Sequence, residues 1–223
     1  MLGELLPVNE VFQTMQGEGR YSGTPAIFIR LQGCPVGCPW CDTPYTWAKD
    51  ANKKVSFAQI LQKTDATDET YANVFVPDLV ACLPKTPQHV VITGGEPAQY
   101  DLRELTEGLI RKRHTTQVET SGTFDLQVDT RTWVTVSPKL DMPGGLDVKP
   151  SVLKRANEIK HVVGKKSDVE TLKSLLPSAN PMALVYVQPL SGSPKATNLC
   201  IEEAGCNGWK VSIQTHRLLK GVR

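Results

Sequence analysis

Seven short runs rich in branched apolar residues recur along the chain: PAIFIRLQ (25–32), HVVIT (89–93), TQVET (116–120), WVTVS (133–137), EIKHVV (158–163), ALVYVQ (183–188) and WKVSIQ (209–214). Each reads as a strand. Helix-like stretches lie between several of them. DLRELTEGLIRKR (101–113) carries leucine or isoleucine at 102, 105, 109 and 110, one buried helical face with Asp101 available as a cap. SDVETLKSLL (167–176) and TNLCIEEAGC (197–206) look similar and open on Ser167 and Thr197. Strand, helix, strand repeated in this way implies a parallel sheet with helical crossovers, closed or partly closed into a barrel. No internal repeat, low-complexity tract or linker divides the 223 residues, and 40% of them are hydrophobic, enough for one core. Residues 1–223 are therefore read as a single α/β domain. The segment 48–76 is weakly patterned, with one helix near Ser56 to Lys63, and the basic run RKRH (111–114) reads as a solvated helix end.

Charge narrows the partners. The 25 Lys and Arg against 23 Asp and Glu leave a net +2, too balanced to mark a nucleic-acid or membrane surface, so a small-molecule partner is expected. The start MLGELLPVNEVF has an early acidic residue and no long apolar run, so neither a secretory signal nor a membrane span is expected. The expected compartment is the cytoplasm, where thiols stay reduced and clustered cysteines serve metals or catalysis rather than disulfides.

Three of the six cysteines, Cys34, Cys38 and Cys41, fall within eight residues of GCPVGCPWCDT (33–43). A structural zinc site takes four protein ligands and a disulfide framework takes pairs, so three thiols on one loop suggest a metal left partly open. A four-iron cluster held by three thiolates has one iron free for an exogenous ligand. Gly37 and the prolines suit a tight wrap, and Trp40 is placed to shield such a cluster from solvent. A zinc site completed by a distant histidine or cysteine, and an incidental cysteine-rich turn, stay open on the spacing alone. Cys82, Cys200 and Cys206 read as small apolar or incidental residues.

The unusual residues share one address. The cysteine loop, TGGEP (93–97), ETSG (119–122), SPK (137–139), QPLS (188–191) and QTH (214–216) follow or close predicted strands, and Lys160-His161, within EIKHVV, is counted with them. In parallel barrels that rim is where loops from separate strands converge on one pocket. In TGGEP the paired glycines admit a ligand to the backbone, and Glu96 can accept from a cationic amine.

The CxxxCxxC spacing, the GGEP motif and the strand order resemble the radical S-adenosylmethionine superfamily. NEVFQTMQGEG (9–19), PAIFIRLQGCPVGCPWCDT (25–43), HVVITGGEP (89–97), ETSGT (119–123), TWVTVSPKL (132–140), ANEIKHVVG (156–164) and SIQTHR (212–217) together resemble the 7-carboxy-7-deazaguanine synthase family of queuosine precursor biosynthesis. The resemblance runs over nearly the whole chain. It implies a partial, TIM-like barrel, a [4Fe-4S] cluster on Cys34, Cys38 and Cys41, and S-adenosylmethionine cleaved to a 5′-deoxyadenosyl radical. It assigns the cofactor to Trp40, Cys41, Asp42, Gly95, Glu96, Ser137, Pro138, Lys139, Gln188, Pro189, Leu190 and Ser191. No side chain is implied as catalyst beyond the cofactor-generated radical.

The implied reaction is ring contraction of 6-carboxy-5,6,7,8-tetrahydropterin, with loss of ammonia. Arg30 is the leading partner for the substrate carboxylate because a guanidinium grips it with two bonds, and His216 is the second. Met15, Gln16, Gly17, Glu18 and Thr93 complete the implied substrate set. Thr43 is implied as a contact of Mg2+ that also touches substrate. An electron donor such as a flavodoxin or ferredoxin, and a homodimer, are implied in the same way. Arg217 and Leu218 depart from the lysine and aromatic residue common in the family after its threonine-histidine pair. Two rivals share part of this pattern: an activase that places a glycyl radical on a partner protein, and a non-catalytic iron–sulfur or zinc module.

Overall fold

In the computed structural model, residues 4–65, 67–190 and 193–218 are described, with the side chain of His216 excepted. Their strands form one nine-stranded sheet. In chain order these are β1 (Leu5–Met15), β2 (Pro25–Leu31), β3 (Ala72–Phe75), β4 (His89–Gly94), β5 (Thr115–Thr120), β6 (Trp133–Val136), β7 (Glu158–Val163), β8 (Leu184–Pro189) and β9 (Lys210–Val211). The spatial order is β3-β1-β2-β4-β5-β6-β7-β8-β9. From β2 to β9 every pairing is parallel, as the strand–helix alternation requires, while β1 pairs antiparallel with both β2 and β3. The expectation of a parallel sheet thus holds for seven strands, and an antiparallel pair extends one edge.

Helices α1 (Phe57–Leu61), α2 (Val76–Ala81), α3 (Arg103–Arg111), α4 (Pro150–Arg155), α5 (Lys166–Leu175) and α6 (Pro194–Asn207) supply the covering layer. Alternation along the strands decides what faces them. Ile27, Ile29 and Leu31 of β2, Val90 and Ile92 of β4, and Val118 of β5 bury one face in a core with Leu102, Leu105 and Leu109 around α3. Val134, Val136, Ile159, Val163 and Val187 do the same against α4, α5 and α6. Many of the intervening residues are polar yet buried: His89, Gln117, Glu119, Thr135, Glu158, Lys160 and Gln188 line the other face beside apolar Phe28 and Val91, and of these polar groups only Glu119 is partly exposed. A sheet face that is polar and dry must meet partners across an enclosed space.

The sheet curls to make that space. Beyond β9, Ser212 Oγ accepts from Gly19 N (3.2 Å) and Thr215 N donates to Gly17 O (3.0 Å), so the segment after the last strand touches the segment after the first. Among the described residues no strand ladder joins these ends; the sheet is open, and loops bridge the gap.

Several local expectations are revised. Helix α6 begins at Pro194, three residues before Thr197, because Ser193 accepts from Ala196 N (3.2 Å). Helix α5 opens at Lys166 rather than Ser167, with Asp168 accepting from Gly164 N and Lys165 N. Asp101 does accept from Arg103 N (2.9 Å), one residue outside the cap position. RKRH is solvated only in part: Arg111 and Arg113 are exposed, but His114 is buried and accepts from Gln88 N (3.1 Å), and Lys112 donates to the Val80 carbonyl (2.6 Å). The weakly patterned segment holds α1, where Ser56 and Gln59 form a capping box, and also β3, which periodicity did not mark.

Candidate active site

The loop that carries the cysteines is fixed before any ligand enters. Gln32, fully buried after β2, donates to the carbonyls of Tyr45 (2.9 Å) and Ala48 (2.6 Å) and accepts from Asn9 (2.8 Å). Gly33 N and Cys34 N then donate to Thr46 O and Trp47 O, closing the two ends of the loop on each other. Gly37 takes φ +70°, the left-handed turn a side chain resists. The glycines after β4 have a second reason. Gly95 N donates to Leu31 O and Glu96 N to Gly33 O, both at 2.8 Å, and a Cβ on Gly95 would collide with the Gly33 carbonyl. TGGEP is therefore stapled to the cysteine loop, backbone against backbone.

Glu96 is 1% exposed and satisfied within the fold. Its Oε1 accepts from Ala98 N (2.9 Å) and Thr120 Oγ1 (2.6 Å), and its Oε2 from Ser121 N (2.7 Å). It braces the GGEP and ETSG loops while its carboxylate still lines the cavity between them.

That cavity, about 320 Å³, is lined by Cys34, Cys38 and Cys41 and by nearly all residues the motifs single out. Trp40, Asp42, Gly95, Glu96, Ser137, Lys139, Gln188, Pro189 and Leu190 stand on its wall, as do Met15, Gln16, Gly17, Glu18, Arg30, Thr43 and Thr93. Pro138 is buried but does not line the cavity, its two neighbours doing so instead. Ser191 and the His216 side chain lie outside the described residues.

The donor set fits an iron–sulfur cluster. All three cysteines are free, and burial pushes the Cys34 thiol up to about 11 and the Cys38 thiol upward too; a metal would displace those protons outright. Cys41 Sγ accepts from Trp47 Nε1 and Thr43 N, both at 3.4 Å, the kind of N–H···S bond that tunes a ligated thiolate. Among the described residues no three His, Cys, Asp or Glu side chains converge as they would around a single ion.

The cavity floor holds residues that the motifs did not assign. Lys160, on β7 and 5% exposed, donates to Glu18 and to Glu119 Oε2 (3.3 Å). Burial opposes its charge, but Glu119 and Glu18 outweigh that and hold its pKa above the ordinary lysine value. Glu18 Oε1 also accepts from Gln188 (3.2 Å) and Gln214 (2.7 Å). Buried Gln188 Oε1 has no hydrogen bond among the described residues, an acceptor waiting on the cavity wall. Gln16 is spent internally: Nε2 donates to Glu119 Oε1 (2.8 Å), and Oε1 accepts from Glu18 N (3.1 Å).

Arg30 lines the cavity with Nε donating to buried Glu10 (3.0 Å) and its guanidinium over Phe12. Lys139 donates to Ser137 (2.6 Å), and burial lowers its pKa. Glu119, Lys160, Gln214, Trp47 and Arg217 are among the cavity residues that sequence reasoning left unassigned. The signal for two of them was a charge in the middle of a buried strand.

No family model matches the chain. Whole-chain relatives do. It is 49% identical over 218 residues to the 7-carboxy-7-deazaguanine synthase of Escherichia coli K12, covering 96% of this chain and 97% of that one. The chain belongs to the 7-carboxy-7-deazaguanine synthase family. Another family member, from Buchnera aphidicola, is 44% identical across 96% of this chain and 98% of its own, and one from Synechocystis is 32% identical across 97% and 93%. The crystal structure of QueE from Escherichia coli shares the fold with a TM-score of 0.91 at 48% identity, covering 95% of each chain. As a family member the chain is an enzyme, and the cavity is its candidate active site. No helix among the described residues is long and apolar enough to cross a membrane.

Proposed function

We propose that this enzyme converts 6-carboxy-5,6,7,8-tetrahydropterin to 7-carboxy-7-deazaguanine, a carbon–nitrogen lyase step in queuosine biosynthesis, using radical S-adenosylmethionine chemistry in an incomplete TIM-like barrel. The observation that carries this reading is a single cavity onto which the three-cysteine loop, the GGEP loop and the Glu18–Lys160–Glu119 floor all open. When bound, the [4Fe-4S] cluster and S-adenosylmethionine supply one-electron cleavage of the sulfonium and hence an organic radical.

The chain's own residues bind and orient. Cys34, Cys38 and Cys41 hold the cluster; Gly95, Glu96, Ser137, Lys139 and the Gln188–Leu190 segment face the adenosylmethionine. On the floor, Glu18 and Glu119 present carboxylate oxygens, which suit the N–H edge of a pterin's aminopyrimidinone ring. Arg30 takes the substrate carboxylate with the part of its guanidinium that Glu10 leaves, and Thr43 Oγ1 contributes to a Mg2+ site shared with substrate oxygens. A buried lysine and a floor with two carboxylates make little sense as a protein-docking face, which weighs against the glycyl-radical activase. A donor of the flavodoxin or ferredoxin type, a homodimeric assembly and a cytoplasmic location complete the reading. Mass spectrometry of anaerobic reactions tests it: the pterin must turn over to the deazaguanine only with reduced cluster and S-adenosylmethionine. Intact pterin beside demonstrated 5′-deoxyadenosine would reject the substrate.

A further inference from the structure

The floor of the cavity stands on a second layer that none of the reaction's binding roles uses. His89, at the start of β4 and 5% exposed, engages both ring nitrogens: Nδ1 with Thr115 Oγ1 (3.0 Å) and Nε2 with Gln117 Oε1 (2.8 Å). Gln117, 1% exposed, presents Nε2 to Glu119 Oε1 (3.4 Å) and to Thr135 Oγ1 (2.9 Å). Gln117 Oε1 also accepts from Gln16 Nε2 (3.3 Å).

The orientation of each group follows from donor and acceptor chemistry. An ionised carboxylate only accepts, so the amide nitrogens of Gln117 and Gln16 must be the atoms that face Glu119. Gln117 Oε1 is then left facing two nitrogens, and His89 Nε2 must carry the proton. In the neutral ring Nδ1 is the acceptor, and the Thr115 hydroxyl donates to it. Burial, the chief cause, lowers the His89 pKa and keeps the ring in that neutral form. A ring contact adds to this. Tyr21 lies on the imidazole (centroids 4.3 Å apart) and meets Trp133 edge-on (5.5 Å), so the turn after Glu18 rests on the same histidine.

We propose that His89 and Gln117 are positioning residues. The Nε2–H tautomer of His89 orients the Gln117 amide, which orients Gln16 and Glu119 and so keeps the cavity floor an acceptor surface for a donor-edged ring. Without that proton the Gln117 amide can turn, setting its carbonyl against Glu119 and releasing the Gln16 side chain that pins the Glu18 amide. The inference rests on the pterin reading only for the identity of the ligand.

The test combines a direct measurement with a rescue. Nitrogen-15 NMR of the imidazoles in cluster-loaded protein should show His89 as a single neutral Nε2–H tautomer. His89→Phe should raise the substrate KM about five- to tenfold, the loss of one buried hydrogen bond, with S-adenosylmethionine affinity unchanged. His89→Gln, whose amide nitrogen reaches the place of Nε2, should recover most of that loss. An Nδ1–H tautomer or an imidazolium in the wild type overturns the proposal, and this result needs no variant to fold. An unchanged KM in folded His89→Phe, or equal defects in the Phe and Gln variants, overturns it too. If the wild type leaves the pterin untouched, the substrate reading falls, while the tautomer spectrum still decides the positioning role.

Discussion

Replacing Glu158 with glutamine should change how the stability of this protein depends on pH more than it changes stability at any one pH. Glu158 is 1% exposed; its Oε2 accepts from Arg20 N (2.9 Å), and its Oε1 has no partner among the described residues. It lies under Gly19, where a Cβ would strike the carboxyl. Burial is the main reason its pKa rises from 4.5 to about 7, with Arg20 N and Lys160 opposing and Glu119 and Glu18 reinforcing the rise. A raised carboxyl stabilises the fold while protonated. That contribution is complete below the unfolded value near 4.5 and is lost as pH climbs to about 7. At 1.36 kcal/mol per pH unit the interval amounts to about 3 kcal/mol.

For a domain of this size about 1 kcal/mol moves Tm by roughly 2–4 °C, so the wild type should lose on the order of 6–12 °C between pH 4.5 and 7.5 from this residue alone. Glu158→Gln has no such proton to lose. The assay is anaerobic thermal unfolding of cluster-loaded wild type and variant from pH 4.5 to 8 at fixed cluster content. The two Tm curves should converge or cross as pH rises, the variant gaining relative to wild type. Parallel curves, separated by a constant offset, would refute the argument, because a constant offset measures packing and not protonation.

Further outcomes follow from the same geometry. Cys34→Ala, Cys38→Ala and Cys41→Ala should each abolish the brown four-iron chromophore after anaerobic reconstitution, whereas changes at exposed Cys82 and Cys206 should leave its absorbance intact. Trp47→Phe removes the N–H···S bond to Cys41, which should lower the cluster's midpoint potential by on the order of 20–60 mV, read by spectroelectrochemistry. Gly95→Ala should separate the GGEP loop from the cysteine loop, because the added carbon meets the Gly33 carbonyl; equilibrium binding of S-adenosylmethionine should weaken by more than about tenfold. Arg30→Lys should keep its pairing with Glu10 but lose the two-pronged grip, giving a pterin KM between those of wild type and Arg30→Ala in steady-state assays.

Seven of the nine strands and the cysteine loop were legible in the residues because both are local, although the run at 209–214 is a strand only over Lys210–Val211. A run such as HVVIT prefers a pleated, buried surface wherever it lies, and three thiols within eight residues are close whatever the fold. The glycines of TGGEP were legible as a backbone requirement, but their partner, the Gly33 carbonyl 62 positions earlier, was not. The strand β1 shows the limit. LLPVNEVFQTM holds a proline, an asparagine and a glutamate in a form that no alternation rule selects. It becomes a strand because Asn9 finds Gln32 and the Asp68 and Thr70 carbonyls, and Glu10 finds Arg30.

The active-site floor depended most on tertiary structure. Glu119 and Lys160 fell within motifs expected to converge on one pocket, but the residues gave them no role, and on strand propensity alone they are defects. They are stable inside because the curled sheet brings Glu18 from the first strand's end and Gln214 from beyond the last to the same point, so each buried charge meets an opposite charge or a donor. Sequence determined which residues could ligate iron and where chains would turn. Only the closing of β1's end against the segment after β9 decided that a carboxylate at 18, another at 119 and a lysine at 160 would form one surface, since an ion pair is defined by distance and distance across a sheet is set by the fold.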